Sequence, residues 1–143
     1  MQIEFDRSEC QRCGGEGRIR AYSGIYGGIC FGCNGNKMRL TRKGTAAAKR
    51  FDAAMKMAVS DLTADTIIKV DGKRRQVVSV TPSTAIASIV DGERIYNHVD
   101  VLLTTGKTTT LLATSSVQRG VCPENYEMIR EALKGLSGAT ITD

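Results

Sequence analysis

Cys10-Gln11-Arg12-Cys13-Gly14-Gly15-Glu16-Gly17 and Cys30-Phe31-Gly32-Cys33-Asn34-Gly35-Asn36 are the two stretches on which the reading of this chain turns. Each opens with a Cys-x-x-Cys bend, which aims two thiolates at one point. Two such bends joined by a modest loop supply four soft donors for a tetrahedral ion, and this spacing is a strong zinc signal. The small residues that follow suit a chain that turns sharply past sulfur, where positive φ or close backbone approach is needed. Four cysteines leave no open coordination position. The expected role is therefore structural, with one zinc per chain on Cys10, Cys13, Cys30 and Cys33. The other use of such pairs, two disulfides or a redox dithiol, needs an oxidising compartment that nothing else in the chain indicates.

Between the pairs, Arg18 to Tyr22 alternates enough for a strand, and Ser23-Gly24 and Gly27-Gly28 are turn signals. Residues 1–40 are thus expected to form a zinc-binding unit, a β-hairpin bridging two knuckles. Such a piece has almost no core, so the metal would supply its folding energy, on the order of 10–16 kcal/mol.

Residues 41–63 are expected to hold an amphipathic basic helix, running from about 42 to 62. At 100° per residue, Ala47, Ala48, Phe51, Ala54, Met55, Ala58 and Leu62 share one arc, and Arg42, Lys49 and Lys56 line the opposite side. Residues 64–121 read as β. Thr66–Val70, Arg75–Val80, Thr84–Val90, Arg94–Thr104 and Thr108–Thr114 are separated by Asp71-Gly72, Thr81-Pro82-Ser83, Asp91-Gly92 and Gly106-Lys107, which are turn residues. Five short strands with tight turns suit a small antiparallel barrel or a curled sheet. Residues 122–143 would then be a C-terminal helix, Glu124 to Leu136 after Pro123, with a frayed tail from Gly138. The fold class expected is α+β.

The 143 residues carry a formal net charge of +5, unevenly placed. Residues 1–50 hold ten Lys/Arg against four acidic residues, and no acidic residue lies between positions 37 and 51. Zinc and four thiolates together subtract two charges, leaving the region at about +4. A field of that sign suits a polyanion or an acidic protein surface. The start of the chain has no basic-then-apolar leader, and no apolar run reaches membrane-spanning length, so a cytoplasmic protein with no membrane partner is expected.

The first cysteine stretch resembles one repeat of the DnaJ-type cysteine-rich domain, Cys-x-x-Cys-x-Gly-x-Gly. The second is similar, with Asn36 read at the place of the last glycine. That domain has four repeats and two zinc ions. Two repeats here, covering residues 10–36, resemble half of it, as found in small bacteriophage proteins, and imply one zinc hairpin. Cochaperone activity is not implied, because the J-domain tripeptide His-Pro-Asp is missing; the single histidine reads His98-Val99-Asp100.

Catalytic patterns fail. Thr105-Gly106-Lys107-Thr108 lacks the glycine of a phosphate loop, since that position is Val101. No serine or cysteine has a companion histidine, so neither an enzyme nor a small-molecule substrate is expected. The leading expectation is a nucleic-acid-binding accessory protein. Arg18, Arg20, Lys37, Arg39, Arg42, Lys43, Lys49 and Arg50 would meet phosphates, and Tyr22, Tyr26 and Phe31 would stack on unpaired bases. The alternative is a protein–protein adaptor that uses the basic helix or the β unit. For the latter, Ile95, Val99 and Val101 are expected inward, and Tyr96, His98 and Leu102 outward as a docking patch.

Overall fold

The computed structural model describes all residues except 85–87, and the chain divides into two compact units. The first comprises Met1–Phe51 with Arg130–Asp143, and the second Asp52–Ile129. In chain order the first unit begins with β1 (Gln2–Phe5), β2 (Arg7–Glu9) and β3 (Met38–Leu40), followed by α1 (Arg42–Met55), whose last residues, from Asp52, are counted with the second. The second holds β4 (Lys56–Ala58), β5 (Ile67–Val70), β6 (Lys73–Pro82), β7 (Ser88–Val90) and β8 (Glu93–Ile95). It continues with β9 (His98–Leu103), β10 (Thr108–Leu112) and β11 (Ser116–Arg119). Then come α2 (Tyr126–Leu133) and β12 (Ala139–Thr142).

In the first unit, β1 pairs antiparallel with β12 and β2 with β3. The tail expected to fray from Gly138 is thus a strand. Ala139 and Ile141 are half-buried and lie opposite Phe5 and Ile3. A four-residue strand whose only partner is at the other end of the chain carries little local signal. Gly138 is required there, since a Cβ would run into the backbone of Lys43.

Thr41 starts α1. Its Oγ1 accepts the Gly44 N–H at 3.0 Å and donates to Asp6 Oδ2 at 2.6 Å, so one hydroxyl caps the helix and ties it to the chain before β2. The buried arc is as the periodicity has it over the helix itself: Ala47 is buried, and Phe51 is half-buried with its ring 5.8 Å from Phe5. The helix ends at Met55, however, not near 62. Lys56–Ala58 is drawn out as β4 because it pairs with Ser116–Gln118 of β11. Tertiary pairing overrides helix-compatible residues here, so Ala58 is exposed, and Leu62 is buried from a 3₁₀ turn at Val59–Asp61.

The second unit is built on a six-stranded antiparallel sheet in the order β10-β9-β6-β5-β11-β4. Its two ends do not pair, so among the described residues the sheet is open and not a barrel, with six strands where five were expected. Alternation places Val101 and Leu103 of β9 on the buried face with Ile68 and Val77, covered by Val59 and Leu62. Asp71-Gly72 and Asp91-Gly92 turn with both residues at positive φ, as tight hairpins require. Gly106 at φ +79 closes the β9–β10 turn, confirming a hairpin in place of a phosphate loop.

The expected strand Arg94–Thr104 is two strands. β8 pairs with β7 in a separate hairpin, whereas β9 pairs with β6 and β10, and the chain breaks at Tyr96-Asn97 to change partners. Ile95, expected inward, is exposed. Of the expected strand Thr84–Val90, residues 85–87 lie outside the described residues, and Ser88–Val90 is β7. At the C-terminal side a 3₁₀ turn at Pro123–Asn125 precedes α2, which is shorter than the expected 124–136 and is followed by Gly135 at φ +75. Among the described residues no helix is long and apolar enough to cross a membrane.

Candidate metal centre

Two knuckles of identical construction, offset by twenty residues, bring the four cysteines together. In the first, the N–H groups of Cys13 and Gly15 donate to Cys10 O, and that of Glu16 donates to Cys13 O. In the second, Cys33 and Gly35 donate to Cys30 O and Asn36 to Cys33 O. The knuckles also exchange one bond each way: Cys10 N–H to Lys37 O at 2.8 Å, and Cys30 N–H to Gly17 O at 3.0 Å. Positive φ angles match in the same register, Gly14 with Asn34, Gly15 with Gly35, and Gly17 with Lys37.

That register corrects one sequence reading. The residue standing where the last glycine belongs is Lys37, with φ +67, not Asn36. Glycine is obligatory at 17, since a Cβ there would lie 2.8 Å from Gly35 O. The expected hairpin between the knuckles is reduced to a single bridge, Arg18 to Ile29, enclosing 3₁₀ turns at Arg20–Tyr22 and Tyr26–Gly28. Three glycines between the bridged residues, Gly24, Gly27 and Gly28, favour tight turns over a ladder.

All four Sγ atoms lie within 4.8 Å of one another and could hold a metal ion. Cys10 Sγ is 3.8 Å from Cys30 Sγ, and Cys13 Sγ is 3.8 Å from Cys33 Sγ. A tetrahedral ion with bonds of about 2.3 Å to sulfur has sulfur–sulfur edges of about 3.8 Å, so the donor set fits such an ion. None of the cysteines is in a disulfide. Cys10, Cys30 and Cys33 are buried, Cys13 and Ile19 pack on them, and the Gly17 N–H donates to Cys13 Sγ at 3.2 Å.

With protons as the only cations, the thiols diverge. Burial pushes Cys30 up, but the N–H groups of Cys33 and Gly32 and the neighbouring Cys10 and Cys13 thiols outweigh it, leaving it lowered to about 7. Burial pushes Cys33 up to about 11, helped by Cys13, Cys30 and Cys10 and opposed by the Lys37 N–H. Cys122 is buried elsewhere and takes no part.

Around this centre Arg18, Arg20, Lys37 and Arg39 are exposed, as are Arg42, Lys43, Lys49 and Arg50 on α1. None of these eight forms an ion pair among the described residues. The aromatics do not form a miniature core: Tyr22, Tyr26 and Phe31 are 50%, 80% and 56% exposed, and the Tyr26 and Phe31 rings meet edge to face at 6.0 Å. Sequence reasoning passed over Ile25, also exposed beside them, and Arg12, whose Cδ lies 3.2 Å from where a Gly32 Cβ would stand. In the second unit Tyr96 is exposed in the β8–β9 connection, whereas His98 and Leu102 are half-buried on β9, so the three do not share one strand face. The chain matches no protein-family model, no curated protein and no solved structure.

Proposed function

We propose that the four cysteines hold one zinc ion as a structural centre, and that the unit it stabilises is a non-enzymatic nucleic-acid-binding module. What carries the reading is the pairing of exposed rings with unpaired cations on one small unit. Tyr22, Tyr26 and Phe31 stand clear of the core, on the same unit as the exposed Arg18, Arg20 and Lys37. Exposed rings among cations are the equipment for stacking unpaired bases while holding phosphates, roughly 1–3 kcal/mol per stacked base. Charge points the same way. The first unit has twelve Lys/Arg against six acidic residues, the second eight against nine. Arg42 and Lys43 open α1, whose first turn holds no acidic residue, although cations there oppose the helix dipole. Helix stability does not account for them, whereas a phosphate contact would.

Native mass spectrometry tests the metal and should give one zinc per chain. Anisotropy with a labelled single-stranded oligonucleotide tests the module. Affinity should fall steeply with salt, and replacing Lys49 and Arg50 by Glu should weaken binding and flatten the salt slope. Replacing Tyr22, Tyr26 and Phe31 by Ala should abolish the preference for single strands over duplex. Equal binding of both forms by the native chain would remove the stacking role.

An adaptor is the second reading, favoured by the β7–β8 hairpin. Ile89, Val90 and Ile95 are exposed on it, with Tyr96 just beyond. Exposed apolar side chains gathered on one ribbon mark contact surfaces. Binding of a partner that survives nuclease and fails when Ile89 and Tyr96 become Ser would support this reading.

A further inference from the structure

We propose that a cavity within the second unit binds a small zwitterion of amino-acid type, with Arg119 receiving its carboxylate. The cavity measures about 420 Å³ and lies where β5 begins and β11 ends. Arg119 is the last residue of β11, opposite Ile68, and shares the inward side of that strand with Val117, which packs on the core. Among the described residues its Nε, closed off from solvent, has no hydrogen-bond partner, and its guanidinium forms no ion pair. A folded chain rarely leaves a buried guanidinium donor unmet; a carboxylate is the acceptor whose planar pair of oxygens fits the guanidinium fork, and the Arg119 side chain must shift within the cavity wall for Nε to meet it.

Two carboxylates line the same cavity without neutralising that cation. Asp65, at φ +69, is held by Gln76 Nε2, which donates to its Oδ1 at 3.0 Å. Glu124 Oε2 lies 3.8 Å from Cys122 Sγ, and that sulfur accepts from Asn125 Nδ2 at 3.1 Å. The same Asn125 amide donates to Gly120 O at 2.9 Å, which fixes this part of the wall. Among the described residues neither carboxylate comes within ion-pair distance of Arg119.

A simple anion entering here meets two carboxylates, and a simple cation meets Arg119. A molecule with a carboxylate at one end and an ammonium beside it satisfies both. The rest of the wall includes Met57, Ala64 and Ile67, which suit an aliphatic side group. Nothing in this assignment depends on the zinc-bearing unit or on nucleic acid.

Three probes of one shape decide it on the full chain: L-leucine, 4-methylpentanoate, which lacks the ammonium, and isopentylamine, which lacks the carboxylate. Leucine at millimolar concentration should raise the melting temperature of the second unit and move the Arg119 Nε–H resonance. Each one-charge analogue should bind at least about tenfold more weakly. Arg119→Gln and Glu124→Gln should each weaken leucine binding by a similar factor. An Nε–H resonance that leucine does not move, or 4-methylpentanoate binding as tightly as leucine, overturns the proposal. Should Arg119→Gln fail to fold, the three probes on the native chain and the Glu124→Gln variant still decide.

Discussion

Gly17 and Lys37 occupy equivalent places in the two knuckles and carry opposite constraints. Gly17 combines φ +77 with a carbonyl 2.8 Å from any Cβ, so Gly17→Ala should cost at least about 2 kcal/mol and weaken metal retention. Gly14→Ala, with open space around it and φ +60, should cost only about 1 kcal/mol. Lys37 has the same backbone and no such clash. Lys37→Gly should gain up to about 1 kcal/mol of stability by relieving the left-handed strain. The same change removes a proposed phosphate contact. Stability rising while oligonucleotide affinity falls, read from thermal melts and anisotropy on one variant, separates the two roles.

The thiols give a second expectation at this scale. A metal displaces protons, so its affinity falls as pH falls. Cys33, pushed up to about 11, surrenders a proton at any pH from 6 to 9, whereas Cys30, lowered to about 7, surrenders one at pH 6 and almost none at 8.5. The Cys30 contribution to protons released on zinc binding should therefore drop by about one over that range. Calorimetry in two buffers of different ionisation enthalpy measures this; a count that does not fall over the range assigns the low-lying thiolate elsewhere.

Among the elements, α1 shows how propensity and packing part company. Glycine inside a helix costs about 1 kcal/mol against alanine, so Gly44→Ala would ordinarily stabilise. Here a Cβ would run into the backbone of Asp6, the residue that Thr41 holds while capping the helix. Gly44→Ala should lower stability in chemical denaturation, and a stabilised variant would mean that the Asp6 segment can move aside. β4 and β11 make a related point. Lys56-Met57-Ala58 and Ser116-Val117-Gln118 have no strong strand composition, yet each completes the other.

For the whole molecule, the division of cores predicts the response to losing the metal. The knuckle unit is packed on sulfur, with Ile19 the single aliphatic side chain packed against the cysteines among the described residues. The sheet has its own buried set in Ile68, Val77, Val101 and Leu103. Chelation, or Cys33→Ser, should strip hydrogen-exchange protection from the amides of residues 10–37 while β5, β6 and β9 keep theirs. Simultaneous loss in both places would show that the two cores fold as one.

The sequence by itself determined the cysteine knuckles, the start and buried arc of α1, and the hairpins at Asp71-Gly72 and Gly106. All of these are written in spacings of a few residues, where a bend, a helical period or a positive φ admits few side chains. Tertiary structure alone decided that the helix stops at Met55, that Ala139–Thr142 is a strand, and that the sheet stays open with six strands. It also placed Arg119 in a cavity with Asp65 and Glu124, residues 54 and 5 positions away along the chain. These features arise from partners far apart in sequence, and a short strand or a wall charge takes its meaning from what lies opposite it.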